Sequence, residues 1–355
     1  MSLKEIARIT GVSKATVSRM LNDPDYIGRS RELHKKVWDT AIELHYRPNL
    51  SARNLKLGKQ DQEKPHYINI LMTRTQDETT DPFFLDLLRN VEQQIHRNSY
   101  ILSYIWYNPI FSNELSCDHE DLDKITEAMI EEAGEKADAL IIMGKCTHRG
   151  LEALMRHYEN IISISRNPLN EAIDEVISDG KKISATAISH LHELGHTEIG
   201  YVGIYQHEAR YLGYLEEMQR RGLQLNPAYI IDVLQTREGG FQAMTQFLSQ
   251  QQRPSAIYCA NAITAIGMIE CMRKNKRKKY FPSIIASDDI EEANSTNPTL
   301  TTVSIPREDI ARLAVLTLAD RIEGGHKNVL QTAFACNVIS RASTRRIDEI
   351  GWYEY

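Results

Sequence analysis

The sequence predicts a two-part α/β protein: a small head of three helices, then a larger body of parallel sheets covered by helices. Residues 1–59 show helical periodicity, whereas short apolar runs and amphipathic helical stretches alternate from Tyr67 onward. Such alternation is typical of parallel sheets with helices on both faces. The length of 355 residues also exceeds what one compact domain usually needs, so we expect two or three domains.

The net charge of −6 is unevenly distributed along the chain. Residues 1–59 contain twelve Lys and Arg against six Asp and Glu, whereas the remaining residues contain thirty against forty-two. A basic head on an acidic body indicates that only the head binds a polyanion. The alternative explanation is a solvated helical surface, and charge by itself does not decide between the two.

Composition points to a cytoplasmic protein. No apolar run approaches the roughly 20 residues that span a bilayer, and the first residues do not resemble a signal peptide, so we expect no membrane contact. The five cysteines form no C-x-x-C pair, which indicates reduced thiols, with a catalytic cysteine as a minor alternative. They are Cys117, Cys146, Cys259, Cys271 and Cys336.

The sequence of the head predicts a helix-turn-helix module. A first helix should end near Gly11, which accepts the positive φ of a tight turn. Ser13 is a natural N-cap for a second helix from Lys14 to Leu21, and a third helix should run from about Arg31 to His45. Two short helices joined by a glycine turn and closed by a third helix match this motif, although an unrelated helical bundle would share the pattern.

The second helix of such a module enters the major groove of DNA with its first turn toward the bases. Lysine and arginine donate to guanine, alanine offers a methyl to thymine, and hydroxyls suit phosphate oxygens. The predicted contacts to bases or phosphates are Ser13, Lys14, Ala15, Thr16, Ser18 and Arg19.

Three motifs make the prediction specific: LKEIA at residues 3–7, GVSKATVSR at residues 11–19 and YRPNLSARNL at residues 46–55. Together they resemble the opening of LacI/GalR-family transcriptional regulators nearly residue for residue. The resemblance implies a DNA-binding domain at residues 1–48, and a hinge helix and linker at residues 49–59. It adds DNA contacts by Asn49, Ala52 and Leu55, the last two in the minor groove. Paired hinges imply a homodimer on a pseudo-palindromic operator.

The resemblance extends over the body at residues 60–355, where it implies a two-lobed core like that of periplasmic binding proteins, with a sugar in the cleft. Lobe 1 is expected at about residues 60–195 and 306–329, and lobe 2 at about residues 196–305 and 330–345. The chain would then cross between the lobes near Gly195, Ile305 and Glu323. In such sheets ligands bind beyond the carboxyl ends of the strands.

The resemblance also implies the effector contacts. Carboxylates, a guanidinium and an amide suit sugar hydroxyls, and an aromatic ring suits a sugar face. The alternatives are a helix cap for Asp179 and a surface turn for Asp288. The positions that match the family's effector residues are Phe83 or Phe84, Asp179, Arg210, Asn261 and Asp288.

Departures from the family limit what the sequence says about the effector. Ala262 follows Asn261 where many relatives have aspartate, and Gln235 stands where an aromatic stacking residue is frequent. The strand end Met143-Gly144-Lys145 resembles regulators of galactoside operons, so galactosides are the first expectation. No leucine heptad follows residue 344, which favours a dimer over a tetramer.

Other classes have less support. No nucleotide-binding or G-x-S-x-G motif follows a strand, so an enzyme is not expected, and neither is a cofactor. His192 and His196 have helical spacing, but Gly195 interrupts the helix between them, so no metal site is expected. A sugar-binding protein of a transport system would share the two-lobed core, but it would need a signal peptide and would lack the head. Within the regulators a repressor is favoured over an activator, and a carbon-metabolism regulator with a protein co-effector stays open.

Overall fold

The structure is a computed structural model. It describes residues 3–22, 26, 30–43, 66–74, 81–134, 137–165, 167–169, 171–206, 208–275 and 279–349. These residues form a helical head and two α/β lobes. Among them, no helix is both long and apolar enough to cross a membrane.

The head consists of helices α1 (Leu3–Thr10), α2 (Lys14–Asn22) and α3 (Arg31–Glu43). Gly11 separates the first two with a φ of 74°, as the turn requires. Apolar side chains at helical spacing meet in a small separate core, which explains why the three helices pack together. That core contains Ile6, Val17, Met20, Leu21, Val37, Trp38 and Ala41.

Lobe 1 is a six-stranded parallel sheet with helices packed against it. Its strands are β1 (Tyr67–Met72), β2 (Ile101–Tyr107), β3 (Ala139–Met143), β4 (Asn160–Ser165), β5 (Asp174–Ile177) and β11 (Gln331–Ala333), in the order β11-β5-β4-β3-β1-β2. Its helices are α4 (Pro82–Arg97), α5 (Glu114–His119), α6 (Leu122–Ala133), α7 (His148–Met155) and α12 (Arg307–Ile322). Strands β1, β3 and β4, at the centre of the sheet, are largely apolar runs buried on both faces, as parallel sheets require.

Lobe 2 repeats this architecture. Its strands are β6 (Ile199–Val202), β7 (Ile230–Ile231), β8 (Ala256–Cys259), β9 (Ser283–Ser287), β10 (Thr301–Ser304) and β12 (Asn337–Ile339), in the order β12-β10-β9-β8-β6-β7. Only the β10–β12 pair of this sheet is antiparallel. Its helices are α8 (Gly180–Glu193), α9 (Ala209–Arg220), α10 (Arg237–Ser249) and α11 (Ala262–Lys274).

Two of the predicted crossings between the lobes were misplaced. Helix α8 packs against the sheet of lobe 2, so the first crossing lies between Ile177 and Gly180 and not near Gly195. Gly195, with a φ of 91°, ends that helix inside lobe 2. Strand β11 pairs with β5, so the third crossing follows Ala333 rather than Glu323. The second crossing lies between β10 and α12.

Helix α3 of the head contacts both lobes. The Asp39 carboxylate lies 2.6 Å from the guanidinium of Arg89 on α4. The Lys35 ammonium lies 2.7 Å from the carboxylate of Glu291 in lobe 2. The rings of Trp38 and His96 add a contact with centroids 5.7 Å apart. The head therefore meets the body where the two lobes adjoin.

Helices α10 and α11 of lobe 2 pack at backbone distance. A Cβ atom added at Gly267 would lie 1.8 Å from the carbonyl oxygen of Arg237, and one at Gly240 would lie 1.8 Å from that of Thr264. Neither position therefore has room for a side chain. This contact fixes the two helix N-termini that border the cleft.

Candidate DNA-reading helix and effector cleft

Helix α2 presents a capped N-terminus and an exposed face. The Ser13 hydroxyl accepts a hydrogen bond from the Thr16 amide at 3.1 Å and lies 2.8 Å from the Thr16 hydroxyl. Ser13 is therefore the N-cap that the sequence predicted. Val17 faces the core of the head, whereas Lys14 and Ala15 are exposed on the first turn. The first turn is thus free to contact a groove.

The second turn of α2 carries the other predicted DNA contacts. Arg19 is exposed, with its guanidinium 5.8 Å from the centre of the Tyr26 ring, and Ser18 is half-buried. The ring thus contacts Arg19 without burying it. The predicted hinge contacts Asn49, Ala52 and Leu55 lie outside the described residues.

The cleft lies where the carboxyl ends of the strands of both lobes face each other. Arg74 follows β1 of lobe 1. Gln235, Asn261 and Asp288 follow β7, β8 and β9 of lobe 2, and Arg210 lies in the first turn of α9. Parallel strands with the same direction place these residues at one edge, as expected for an open α/β sheet.

Arg210 is the centre of this edge. Its side chain is 1% exposed, and its Nε and Nη2 donate to the two carboxylate oxygens of Glu208 at 2.8 Å and 3.0 Å. Nη1 donates to the carbonyl of Ala260, and Nη2 also donates to Gln235 Oε1 at 3.3 Å. A bidentate pair of this kind fixes the plane of the guanidinium as well as its charge.

Both partners of this buried pair are ionised. Burial alone would raise the pKa of the Glu208 carboxyl, but the charge and hydrogen bonds of Arg210 lower it to about 2. Burial alone would lower the pKa of Arg210, but the charge and hydrogen bonds of Glu208 raise it well above its ordinary value. The charge of Asp288 adds to that rise. The cleft thus contains a buried cation that is paired with one carboxylate and influenced by the charge of a second.

Asn261 and Asp288 join this group from neighbouring strands. Asn261 caps α11 by accepting from the Thr264 amide at 3.2 Å, and its Nδ2 donates to the Gln235 carbonyl at 3.2 Å. Asp288 is buried and adopts a φ of 69°. Such a φ is uncommon for a residue with a side chain, and aspartate tolerates it better than most. It is a buried turn at the cleft and not a surface turn.

The other predicted effector residues lie at the N-termini of two helices, α8 and α4. Asp179 caps α8 by accepting from the Lys181 amide at 2.9 Å, which is the alternative that the sequence left open. Phe83 and Phe84 are buried in the core of lobe 1, edge to face at 5.4 Å. The guanidinium of Arg307 lies 5.7 Å from the centre of the Phe83 ring.

Two residues of the cleft were not predicted. Glu208 precedes Arg210 by two positions, and a carboxylate so close to a buried arginine was a signal that could have been used. Arg74 donates to Gln235 from the opposite lobe and lies 3.8 Å from Asp81. Only its place directly after β1 pointed to it.

Two histidines of lobe 2, His190 and His196, form hydrogen bonds. His196 lies 3.0 Å from the Ser255 hydroxyl and 3.0 Å from the Arg345 carbonyl, and burial lowers its pKa. His190 lies 3.1 Å from the Thr344 hydroxyl. Across the ranges that the structure describes, no three His, Cys, Asp or Glu residues are placed to hold a metal ion.

Comparison with known proteins gives the same two-part division. The family described as "Bacterial regulatory proteins, lacI family" matches residues 2–49. The family described as "Periplasmic binding protein-like domain" matches residues 188–344. The ribose operon repressor of Escherichia coli (strain K12) is 28% identical over 328 residues, which cover 90% of this chain and 93% of that protein.

Two solved structures are similar over nearly the whole chain. A complex of the transcriptional regulator CelR with cellobiose has a TM-score of 0.65 at 19% identity, covering 97% of this chain and 100% of that chain. The lac repressor dimer bound to operator and the anti-inducer ONPF has a TM-score of 0.66 at 19% identity, covering 97% and 99%. At such identities these two structures support the fold alone.

The motifs of the head, the two-lobed body and the matched families agree with one another. The relatives that match are transcriptional regulators and not enzymes. The chain therefore carries a DNA-binding domain of the lacI family of bacterial regulatory proteins at residues 2–49 and a periplasmic binding protein-like domain at residues 188–344.

Proposed function

We propose that this regulator is a homodimeric repressor that binds a palindromic operator through α2 and releases it when a sugar occupies the cleft. The observation that carries the proposal is the buried pair of Arg210 and Glu208, on which the charge of the buried Asp288 also acts, at the edge where the lobes meet. Carboxylates and a guanidinium held in one place are suited to several sugar hydroxyls at once. The similar ribose operon repressor supports this class of ligand.

The charges favour a neutral sugar over a phosphorylated one. The positive charge of Arg210 is already compensated by Glu208, and Asp288 contributes a further negative charge nearby. The other cation of the cleft, Arg74, lies 3.8 Å from a further carboxylate, that of Asp81, so a phosphate would need additional donors to offset that potential. Galactosides, which the sequence suggested, stay a prediction. The proposed effector contacts are Arg210, Asn261 and Asp288, with Asp179, Phe83 and Phe84 as the further positions implied by the family.

The proposed mechanism is a shift between two arrangements of the lobes. Sugar would stabilise the arrangement in which lobe 1 is rotated and the two hinges of the dimer are separated. The hinge helices then lose their partners, and operator affinity falls. Such a shift requires that the sugar bind the two arrangements with different affinity.

The test is binding of the purified protein to the DNA upstream of its own gene, titrated with ribose, galactosides, glucosides and their phosphates. Release by one neutral sugar would support an inducible repressor and identify its effector. Specific binding that no sugar changes would instead favour a protein co-effector. Asp288→Asn should weaken the response to that sugar while operator binding is retained, since Asp288 lies in the body and α2 in the head.

A substitution on α2 tests the DNA-reading surface. Lys14→Ala should weaken operator binding by about 1–3 kcal/mol if Lys14 contacts a base, and it should relax specificity at one position. The matched control is Lys36→Ala, which removes an exposed lysine from α3. Equal effects of the two substitutions in a salt-controlled binding assay would contradict the assignment of α2.

Leu55→Ala tests the predicted minor-groove contact of the hinge in the same assay.

A further inference from the structure

Arg74 and Gln235 meet across the cleft. Arg74 follows β1 in lobe 1, and Gln235 lies between β7 and α10 in lobe 2. The Nη2 of Arg74 donates to Gln235 Oε1, which also accepts from Nη2 of Arg210 at 3.3 Å. One carboxamide oxygen therefore joins a cation of each lobe.

A second hydrogen bond connects the lobes on the other side of Arg210. The Ala209 amide, at the start of α9, donates to Oδ1 of Asn167 at 2.9 Å. Asn167 follows β4 in lobe 1. The two interlobe contacts flank Arg210 along the chain of lobe 2, and they are consistent with its complete burial.

The orientation of the Gln235 carboxamide is fixed by its neighbours. Exchanging its oxygen and nitrogen would place N–H groups against two guanidinium donors, so Oε1 must face Arg74 and Arg210. The amide nitrogen Nε2 is then buried, with no acceptor among the described residues, and the whole residue is 9% exposed. A buried donor without an acceptor is unfavourable, so this position favours a ligand that brings an oxygen.

We infer that Arg74, Asn167 and Gln235 form an interlobe latch, and that the effector acts by replacing it. An oxygen of the effector accepts from Gln235 Nε2, and its hydroxyls take over the contact with Arg74. A carboxamide at this position selects ligands by a polar edge that carries hydroxyl or ring oxygens, rather than by an apolar face. The identity of the ligand rests on the proposed function, whereas the latch is a property of this chain alone.

A double-mutant cycle on the full-length protein tests the latch without any sugar. Arg74→Ala, Gln235→Ala and the double variant are compared with the unmodified chain by thermal and urea unfolding. We expect the shift in melting temperature of the double variant to be smaller than the sum of the two single shifts. Both substitutions remove the contact between Arg74 and Gln235, while each also removes one further contact, with Asp81 or with Arg210. Additive shifts would overturn the latch. Arg149→Ala is the control: Arg149 pairs with Asp118 inside lobe 1, so its effect should add to that of Gln235→Ala.

A second variant tests the contact with the effector. Gln235→Glu keeps two oxygens for Arg74 and Arg210 but removes the Nε2 donor. We expect it to melt no lower than the unmodified chain, yet to bind the sugar about tenfold more weakly in calorimetry with D-ribose, D-galactose and cellobiose. Unchanged affinity would overturn the role of Nε2. If the unmodified chain binds none of these sugars, the effector half of the inference fails with the proposed function, and the double-mutant cycle still decides the latch.

Discussion

At the scale of single residues, the buried pair of Glu208 and Arg210 dominates the cleft. Each charge would be strongly unfavourable in this position without the other. The pair stays ionised because both carboxylate oxygens of Glu208 accept from the guanidinium, with Asp288 nearby. Removing one member therefore leaves an uncompensated charge rather than an empty space.

This pair predicts an acid-dependent loss of stability. The pKa of Glu208 is about 2 in the folded chain, below its ordinary value of 4.5. The contribution of the ionised Glu208 to the free energy of unfolding is thus complete above pH 4.5 and is lost as the pH falls toward 2. Glu208→Gln should reduce the free energy of unfolding by about 3–5 kcal/mol near pH 7 and flatten this part of the pH profile.

Urea unfolding between pH 3 and pH 7 measures both effects. Glu171→Gln is a suitable control, because Glu171 pairs with His148 on the surface of lobe 1. A Glu208→Gln variant that keeps the pH profile of the unmodified chain would contradict the assignment.

The sequence predicted some of these residues and not their contacts. Arg210 and Asp288 were found because their neighbours match a family pattern. Arg74 and Gln235 were not assigned as partners, since their contact joins residues 161 positions apart and depends on how closely the two lobes approach. The spacing of apolar residues within a segment carries no information about the distance between two lobes.

At the scale of secondary-structure elements, helices and strands were predictable, whereas the path of the chain between lobes was not. Apolar runs such as Ala139–Met143 predicted strands correctly, because strands of parallel sheets are buried on both faces. The sequence predicts a crossing near Gly195, whereas the structure places this glycine at the end of α8 inside lobe 2. A C-terminal glycine marks the end of a helix without indicating which sheet that helix covers.

The contact between α10 and α11 predicts a strong effect from a small substitution. In Gly267→Ala the new methyl group would overlap the backbone carbonyl of Arg237, which cannot rotate away. We expect a loss of about 1–3 kcal/mol in the free energy of unfolding. Arg273→Ala, at an exposed position of the same helix, should have little effect. Thermal melting of the two variants distinguishes this steric effect from a general sensitivity of α11.

A second element, the segment between α12 and β11, is held by a network around the buried Asp174. Arg321 donates to both oxygens of Asp174, at 2.5 Å and 2.6 Å, and the Leu330 amide donates at 2.9 Å. His326 lies 2.5 Å from Asp320 and 3.0 Å from Asp174. These contacts fix the segment against β5 before the chain enters lobe 2.

The network predicts a pH dependence of the opposite sign to that of Glu208. The hydrogen bond to Asp320 raises the pKa of His326, burial opposes this, and Asp174 adds to the rise, while the charge of Arg321 opposes it. The contribution of protonated His326 to the free energy of unfolding is therefore complete below pH 6.5. It is lost as the pH rises through the pKa of His326 in the folded chain. His326→Gln should flatten the melting temperature between pH 6 and pH 9. A variant that retains the slope would show that another group titrates there.

At the scale of the whole molecule, a series of side-chain contacts leads from the cleft to the head. Arg74 lies beside Asp81, which caps α4, and α4 carries Arg89, the partner of Asp39 on α3. A rotation of lobe 1 would move α4 and therefore α3. This route is additional to the hinge.

The contact between Asp39 and Arg89 offers a test of this route. Arg89→Asp should reduce the extent to which sugar weakens operator binding, because α3 would no longer follow α4. The reversed pair, Asp39→Arg with Arg89→Asp, should restore part of the response. Operator titrations with and without sugar measure the coupling. A full response in Arg89→Asp would mean that the hinge alone transmits the signal.

The complete burial of Arg210 has a consequence for the speed of induction. A sugar cannot reach a guanidinium that is 1% exposed and flanked by two interlobe hydrogen bonds until the lobes separate. Opening of the lobes then limits the rate of sugar binding. The observed association rate should therefore level off at high sugar concentration instead of rising in proportion to it. The rate of induction would then be limited by the motion of the lobes, whereas the extent of induction would depend on the sugar.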